Sequence, residues 1–168
     1  MSQSPKGLDL RKVIGLELTL AEYEAELLDG RAYYDSEPLE FECTQCGACC
    51  TRAGVVFLTP DDLERIAAHF DVTVPEAVRA WFDGEDDPVI TVDDDLGCPF
   101  YQDEKCTIHE VKPIQCATYP FWPEVVGTPE AWWVEAAECE GIGRGRKYHA
   151  EEVRRLLLGV LMRTDAAK

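Results

Sequence analysis

The chain has 168 residues, with 16 Lys and Arg against 33 Asp and Glu, which gives a formal charge of −17. A surface this acidic repels nucleic-acid phosphates and anionic lipid headgroups, and the composition therefore excludes nucleic acids and membranes as partners. Cations and basic proteins remain as candidate partners. No apolar run is long enough for a signal peptide or a transmembrane helix, and we therefore expect a cytoplasmic protein.

The distribution of cysteines divides the chain into three zones. All eight cysteines lie in residues 41–146, which we expect to form a metal-binding domain. Residues 1–40 form an N-terminal helical extension in this scheme, and residues 147–168 form a C-terminal amphipathic helix packed on the domain. The length suits one small core, and we predict a helix-rich α+β fold with few short strands and long loops pinned by metal.

Capping residues predict three helices in the first half of the chain. Thr19 and Glu22 have the spacing of a capping box and open the first helix. Thr59 can cap the second helix because Pro60 follows at the first helical position, where its missing N–H costs nothing. Thr73 repeats this arrangement for the third helix.

The remaining elements are two strands, one turn and one long helix. The β-branched runs Val55–Leu58 and Val89–Val92 predict strands. The acidic run Asp93–Asp95 lacks the spacing of a calcium loop, so we expect a solvated turn. Near the end of the chain, apolar side chains recur with a helical period and form one stripe. They are Val153, Leu156, Leu157, Val160 and Leu161.

Four of the cysteines lie within eight residues and form the pattern C-x2-C-x2-C-C. They are Cys43, Cys46, Cys49 and Cys50. Cytosolic thiols stay reduced, so metal ligation explains this density better than disulfides do. A C-x2-C step turns two thiolates onto one metal, and Gly47 allows the tight loop. The first three ligands of a [4Fe–4S] ferredoxin cluster have this spacing, whereas zinc usually takes two ligands from one such turn.

The other cysteines are dispersed, and the sequence does not pair them. They are Cys98, Cys106, Cys116 and Cys139. Adjacent side chains usually diverge, so we do not expect Cys49 and Cys50 to share one metal easily; Cys50 serves a second centre or is a spare or redox-active thiol. All eight cysteines are candidate ligands, either for two tetrahedral sites or for one site with unbound thiols.

The order of these motifs resembles the CxxCxxCC cysteine-cluster family, also called YkgJ-type. The motifs are Leu39–Cys50, Cys98–Tyr101, Cys106–Phe121 and Cys139–Gly145, so the resemblance covers roughly residues 39–146. The family is described as a zinc- or iron-chelating domain, which implies either ion as cofactor. His109 stands where the family has Tyr, and Lys112 where it has Arg. The first difference implies that position 109 is not normally a ligand.

The expected function is a cytosolic protein that binds zinc or iron through its cysteines and is not catalytic by itself. Iron would be held as an iron–sulfur cluster. A methyltransferase-like enzyme or subunit is an alternative, since the resemblance extends to flagellin lysine-N-methylases, but the chain is short and has no cofactor-binding motif. A thiol-redox protein that acts through Cys49 and Cys50 is a second alternative. The sequence does not identify a protein partner, and whether the protein has one stays an open question.

Overall fold

The structure is a computed structural model that describes residue 22, residues 32–84 and residues 86–165, with side chains described up to residue 157. The helix predicted from Thr19 to Gly30 lies outside the described residues apart from Glu22. The helices and strands follow one another in this order: β1 Leu39–Phe41, α1 Ala48–Thr51, β2 Gly54–Phe57, α2 Pro60–His69, α3 Val74–Trp81, β3 Val89–Val92, β4 Tyr101–Gln102, β5 Lys105–Cys106, α4 Ile114–Thr118, α5 Pro123–Val126, α6 Pro129–Glu135, β6 Arg146–Tyr148 and α7 Ala150–Asp165.

The strands form antiparallel pairs, which are β1 with β6, β2 with β3, and β4 with β5. Each pair is short, and helices carry most of the regular backbone. The prediction of a helix-rich α+β fold with few short strands is confirmed. No helix among the described residues is both long enough and apolar enough to cross a membrane.

The chain divides into two compact units. One unit is formed by Met1–Glu42 together with Thr118–Lys168, and the other by Cys43–Ala117. We call the second one the cysteine unit because it contains seven of the eight cysteines. The first one, which contains Cys139, is the terminal unit.

The cysteine unit is built around α2, whose start follows the predicted capping scheme. The Thr59 hydroxyl accepts the Asp62 N–H at 3.1 Å, and the Asp62 carboxylate accepts the Thr59 N–H at 3.0 Å. Pro60 occupies the first turn of the helix. The helix buries Ile66 completely, in one cluster with Ile90 of β3 and other apolar side chains. The predictions of α2, α3 and β3 are confirmed, and β2 begins and ends one residue earlier than predicted.

The acidic run after β3 is a turn. Asp93 forms an antiparallel bridge with Gly97, and its carboxylate accepts the backbone N–H groups of Asp95 at 2.8 Å and Leu96 at 3.0 Å. These bonds use the carboxylate to close the turn on itself. The prediction of a turn at Asp93–Asp95 is confirmed.

The terminal unit has its own apolar core, to which the last helix contributes. Val153 is fully buried and Leu157 is 1% exposed, so the first part of the predicted apolar stripe of α7 faces this core. Gly141 lies against the backbone of residue 42: a Cβ at Gly141 would stand 2.1 Å from the Glu42 carbonyl oxygen. Only glycine allows this approach of the two chain segments.

Candidate metal centre

The loop with the clustered cysteines ends in one turn of helix, α1. Gly47 precedes the turn with φ +80, and its carbonyl accepts the N–H groups of Cys50 at 2.8 Å and Thr51 at 3.1 Å. Residues of other types rarely adopt this backbone conformation. Cys49 and Cys50 are therefore neighbours on a helical turn, where successive side chains are about 100° apart and do not alternate between opposite faces as in a strand.

Tyr101 lies directly against this loop. A Cβ at Gly47 would stand 2.0 Å from the Tyr101 hydroxyl oxygen, so the ring occupies the space that any side chain at position 47 would need. The hydroxyl donates to the Cys46 carbonyl at 3.4 Å. In the β4–β5 pair Tyr101 stands opposite Cys106, so the hairpin brings that cysteine to the same part of the unit.

The segment before β4 is tied to α1 by its backbone. The Cys98 N–H donates to the Cys50 carbonyl at 2.7 Å, and Tyr101 closes a turn by donating to the Cys98 carbonyl at 2.9 Å. Gly97 reaches this position with φ +72, and a Cβ there would be 3.1 Å from the Cys50 carbonyl oxygen. This contact sets Cys98 next to the helical turn.

The titration of three cysteines is linked, with Cys50 as the middle member. Interaction with the thiols of Cys106 and Cys49, followed by burial, raises the pKa of Cys50. Interaction with Cys50 lowers the pKa of Cys106 to about 6 and that of Cys49 to about 7; burial opposes both shifts, and the positive charge of Lys112 supports them. These shifts favour the thiolate forms of Cys49 and Cys106 over that of Cys50. That the side chains of Cys49 and Cys50 diverge stays a prediction.

Cys98 and Cys116 complete the group from two other segments. Burial, followed by the charges of the neighbouring Cys49, Cys98 and Cys106, raises the pKa of Cys116 to about 12. Burial also raises the pKa of Cys98, while the backbone N–H groups of Phe100 and Tyr101 lower it. Such N–H groups directed at a sulfur are typical of thiolates that bind metals.

His109 and Cys43 lie at the exposed side of the cysteine unit. The imidazole Nε2 is 4.0 Å from the Cys43 sulfur and 3.5 Å from the Lys112 ammonium, which donates to it. Burial lowers the pKa of His109, and the positive charge of Lys112 lowers it further, while the negative charge of Glu110 raises it. The lowered pKa favours the neutral imidazole at pH 7, and its Nε2 atom is within hydrogen-bonding distance of the Cys43 sulfur.

The pKa values predict how the thiols react with an alkylating agent. Since only the thiolate is nucleophilic, alkylation of Cys106 by iodoacetamide in metal-free protein should reach half of its plateau rate near pH 6. Cys116 should stay unreactive up to strongly alkaline pH. Mass spectrometry of the alkylated peptides measures both rates.

The control for this experiment is Cys50→Ala, which removes the main cause of the low pKa of Cys106 because alanine cannot donate a hydrogen bond. In this variant the midpoint for Cys106 should move toward the ordinary thiol value of about 8.5. An unchanged midpoint would contradict the role assigned to Cys50.

The structure thus brings five of the eight predicted ligands into one group, which are Cys49, Cys50, Cys98, Cys106 and Cys116. Cys43 and Cys46 are exposed in the loop before α1. Cys139 is 7% exposed and belongs to the apolar core of the terminal unit. Metal binding by any of the eight cysteines stays a prediction.

The donor chemistry of the group suits zinc or iron. Thiolates are soft ligands that bind zinc and iron strongly in proteins. Among the described residues, no group of three or more His, Cys, Asp or Glu side chains is placed to hold a metal ion. Binding of an ion would therefore need these side chains to rearrange, and it would release the thiol protons.

Sequence reasoning missed the side chains that hold the cysteine segments in place. Asp62 was assigned to the start of a helix, yet its side chain is fully buried and also accepts the Ile114 N–H at 3.0 Å. The Gln115 side chain bonds to β2, and the Tyr101 ring covers Gly47. The capping pattern around Thr59 was the one available signal, and it does not show that the same carboxylate reaches a segment 52 residues away.

Comparison with models of protein families gives one match to this chain. Residues 42–140 match the CxxCxxCC model, whose description is "Putative zinc- or iron-chelating domain". The matched residues are more than half of the chain, and they include all eight cysteines. The description supports metal binding with zinc or iron as the ion. No solved structure matches the chain.

Proposed function

Because the chain belongs to the CxxCxxCC family of zinc- or iron-chelating domains, we propose that its cysteine unit holds one zinc or iron ion in a tetrahedral thiolate site. The ligands are Cys49, Cys98, Cys106 and Cys116. Cys50 stays protonated and donates a hydrogen bond to two of the ligand sulfurs. The protein is cytoplasmic and is not an enzyme by itself.

The observation that supports this proposal is that backbone contacts hold separate cysteine segments together. The Cys98 N–H donates to the Cys50 carbonyl at 2.7 Å, and Tyr101, whose hydroxyl donates to the Cys46 carbonyl at 3.4 Å, stands opposite Cys106 in the β4–β5 pair. We propose a single ion because the family is described as a zinc- or iron-chelating domain.

Lys112 supports the same site electrostatically. Four thiolates and one divalent ion have a net charge of −2, which is unfavourable in a partly buried site of an acidic protein. The ammonium of Lys112 is one of the charges that favour the thiolate forms of Cys49 and Cys106. By offsetting part of the negative charge, Lys112 stabilises the loaded site.

Anaerobic purification followed by elemental analysis and a visible spectrum tests the proposal. We expect about one zinc or iron per chain and no labile sulfide, with a colourless protein if the ion is zinc. A brown protein with iron and sulfide in equal amounts would replace the single ion by a cluster. A folded protein without metal would contradict the proposal.

The thiol-redox hypothesis is the second candidate, since Cys49 and Cys50 are in contact and the Cys49 thiol has a pKa of about 7. It predicts a folded, metal-free protein with a disulfide that forms reversibly between cysteines of the group. Titration of free thiols before and after mild oxidation separates it from metal binding.

A further inference from the structure

The short helix α4, which carries Cys116, is held on both of its sides by other elements. The N–H of Ile114 donates to the Asp62 carboxylate of α2 at 3.0 Å. The next side chain, Gln115, accepts the Phe57 N–H of β2 at 2.9 Å and donates to the Val55 carbonyl at 3.3 Å. The two residues immediately before Cys116 are therefore each bonded to a separate element.

Asp62 is unusual because a carboxylate is rarely buried completely. Its side-chain exposure is 0%, whereas that of the neighbouring Asp61 is 61%. One carboxylate oxygen closes the cap of α2 through Thr59, and the other accepts Ile114 and the Arg65 guanidinium. Capping of α2 needs only the bond to Thr59, so the bonds of the other carboxylate oxygen to Ile114 and Arg65 serve the contact with α4.

Arg65 extends the same connection to the residues before α4. Its guanidinium binds the Asp62 carboxylate and also donates to the Lys112 carbonyl at 3.4 Å. Pro113, between Lys112 and Ile114, is fully buried and fixes the backbone angle there. The orientation of α4 is thus set by α2 and β2 and not by the five residues of α4 alone.

We propose that Asp62 is a positioning residue for the metal centre: with the Gln115 amide, its buried carboxylate holds α4 in the orientation that directs the Cys116 sulfur toward Cys49, Cys98 and Cys106. This inference rests on the proposed metal–thiolate site. Residues that orient metal ligands typically change metal affinity 10–100-fold when they are replaced.

The test uses Co²⁺ as the probe, because its visible bands report the number and geometry of the thiolate ligands. Two variants remove the two anchors separately: Asp62→Asn weakens the carboxylate bonds, and Gln115→Ala removes the bonds to β2 without changing the cap of α2. For both we expect shifted Co²⁺ bands and about 10–100-fold weaker Co²⁺ binding. In the loaded variants Cys116 should be alkylated at least about tenfold faster than in wild type.

The matched control is Asp61→Asn, which changes the exposed carboxylate that pairs with Arg65 on the same helix at 3.2 Å. Its Co²⁺ spectrum and Cys116 protection should equal those of wild type. If the Asp62→Asn variant does not fold, the Co²⁺ spectrum and Cys116 protection of Gln115→Ala alone test the inference.

Variants with lower melting temperatures but wild-type Co²⁺ bands and wild-type Cys116 protection would overturn the inference and leave Asp62 a purely structural residue. Failure of the wild-type protein to take up Co²⁺ would instead overturn the proposed function, and with it the inference. The two failures are therefore distinguishable.

Discussion

The variant Cys106→Ser is expected to lose most of the bound metal and much of the stability of the cysteine unit. The charge of Cys106 is one of those that raise the pKa of Cys116. Interaction with Cys50 and the backbone N–H of Ile108 lower the pKa of Cys106 itself to about 6, which favours its thiolate form at neutral pH. A hydroxyl at this position remains protonated and binds zinc or iron poorly.

The size of this effect follows from the coupling of metal binding to folding. Binding of a structural zinc contributes on the order of ten kcal/mol, and this energy is lost when the site no longer closes. Elemental analysis of the purified variant and thermal unfolding, each with and without added metal, measure the two losses.

Lys105→Ala is the control for this variant, because Lys105 precedes Cys106 in β5 and its side chain is exposed. It should retain the metal and unfold like wild type. If Cys106→Ser kept a full equivalent of metal, Cys106 would be removed from the ligand set and the proposed site would be wrong.

The variant Gly47→Ala is expected to have the second largest effect, since it disturbs the loop before α1 in two ways. The backbone at position 47 has φ +80, which costs other residues about 1–3 kcal/mol. The new Cβ would also stand 2.0 Å from the Tyr101 hydroxyl oxygen and 2.2 Å from the ring carbon that bears it. The ring must move, and its bond to the Cys46 carbonyl is lost.

We expect Gly47→Ala to lower both the melting temperature and the affinity for metal, since α1 carries Cys49 and Cys50. Competition with a chelator of known affinity measures the second change. The double variant Gly47→Ala/Tyr101→Ala should recover part of the loss, because it removes the overlap and leaves only the backbone strain.

Gly54→Ala serves as the comparison, since a Cβ at Gly54 meets nothing within 4 Å. Its metal affinity and melting temperature should stay close to those of wild type. Equal effects of Gly47→Ala and Gly54→Ala would show that the contact between Gly47 and Tyr101 is unimportant for the site.

The extent to which sequence predicted the fold depends on how local each signal is. The cap of α2 at Thr59 and the strand Val89–Val92 depend on residues a few positions apart, and both were predicted correctly. The loop at Gly47 was predicted as tight, but its contact with Tyr101 joins residues 54 positions apart and had no counterpart in the pattern.

The candidate site shows the same limit. Spacing identified every cysteine as a candidate ligand and grouped Cys49 with Cys43 and Cys46, and this grouping stays a prediction. A C-x2-C step describes a local turn and does not show which distant segment approaches it. The bond from the Cys98 N–H to the Cys50 carbonyl shows that the segment of Cys98 approaches α1.

By itself, the sequence determined the acidic character of the protein, the beginnings of its helices, its strands and its soft sulfur donors, because these depend on composition and on neighbours along the chain. Only the tertiary structure decided that Tyr101 covers Gly47 and that Asp62 reaches α4. The physical reason is that such approaches depend on how loops close and on which buried polar groups find partners, and both are properties of the whole fold.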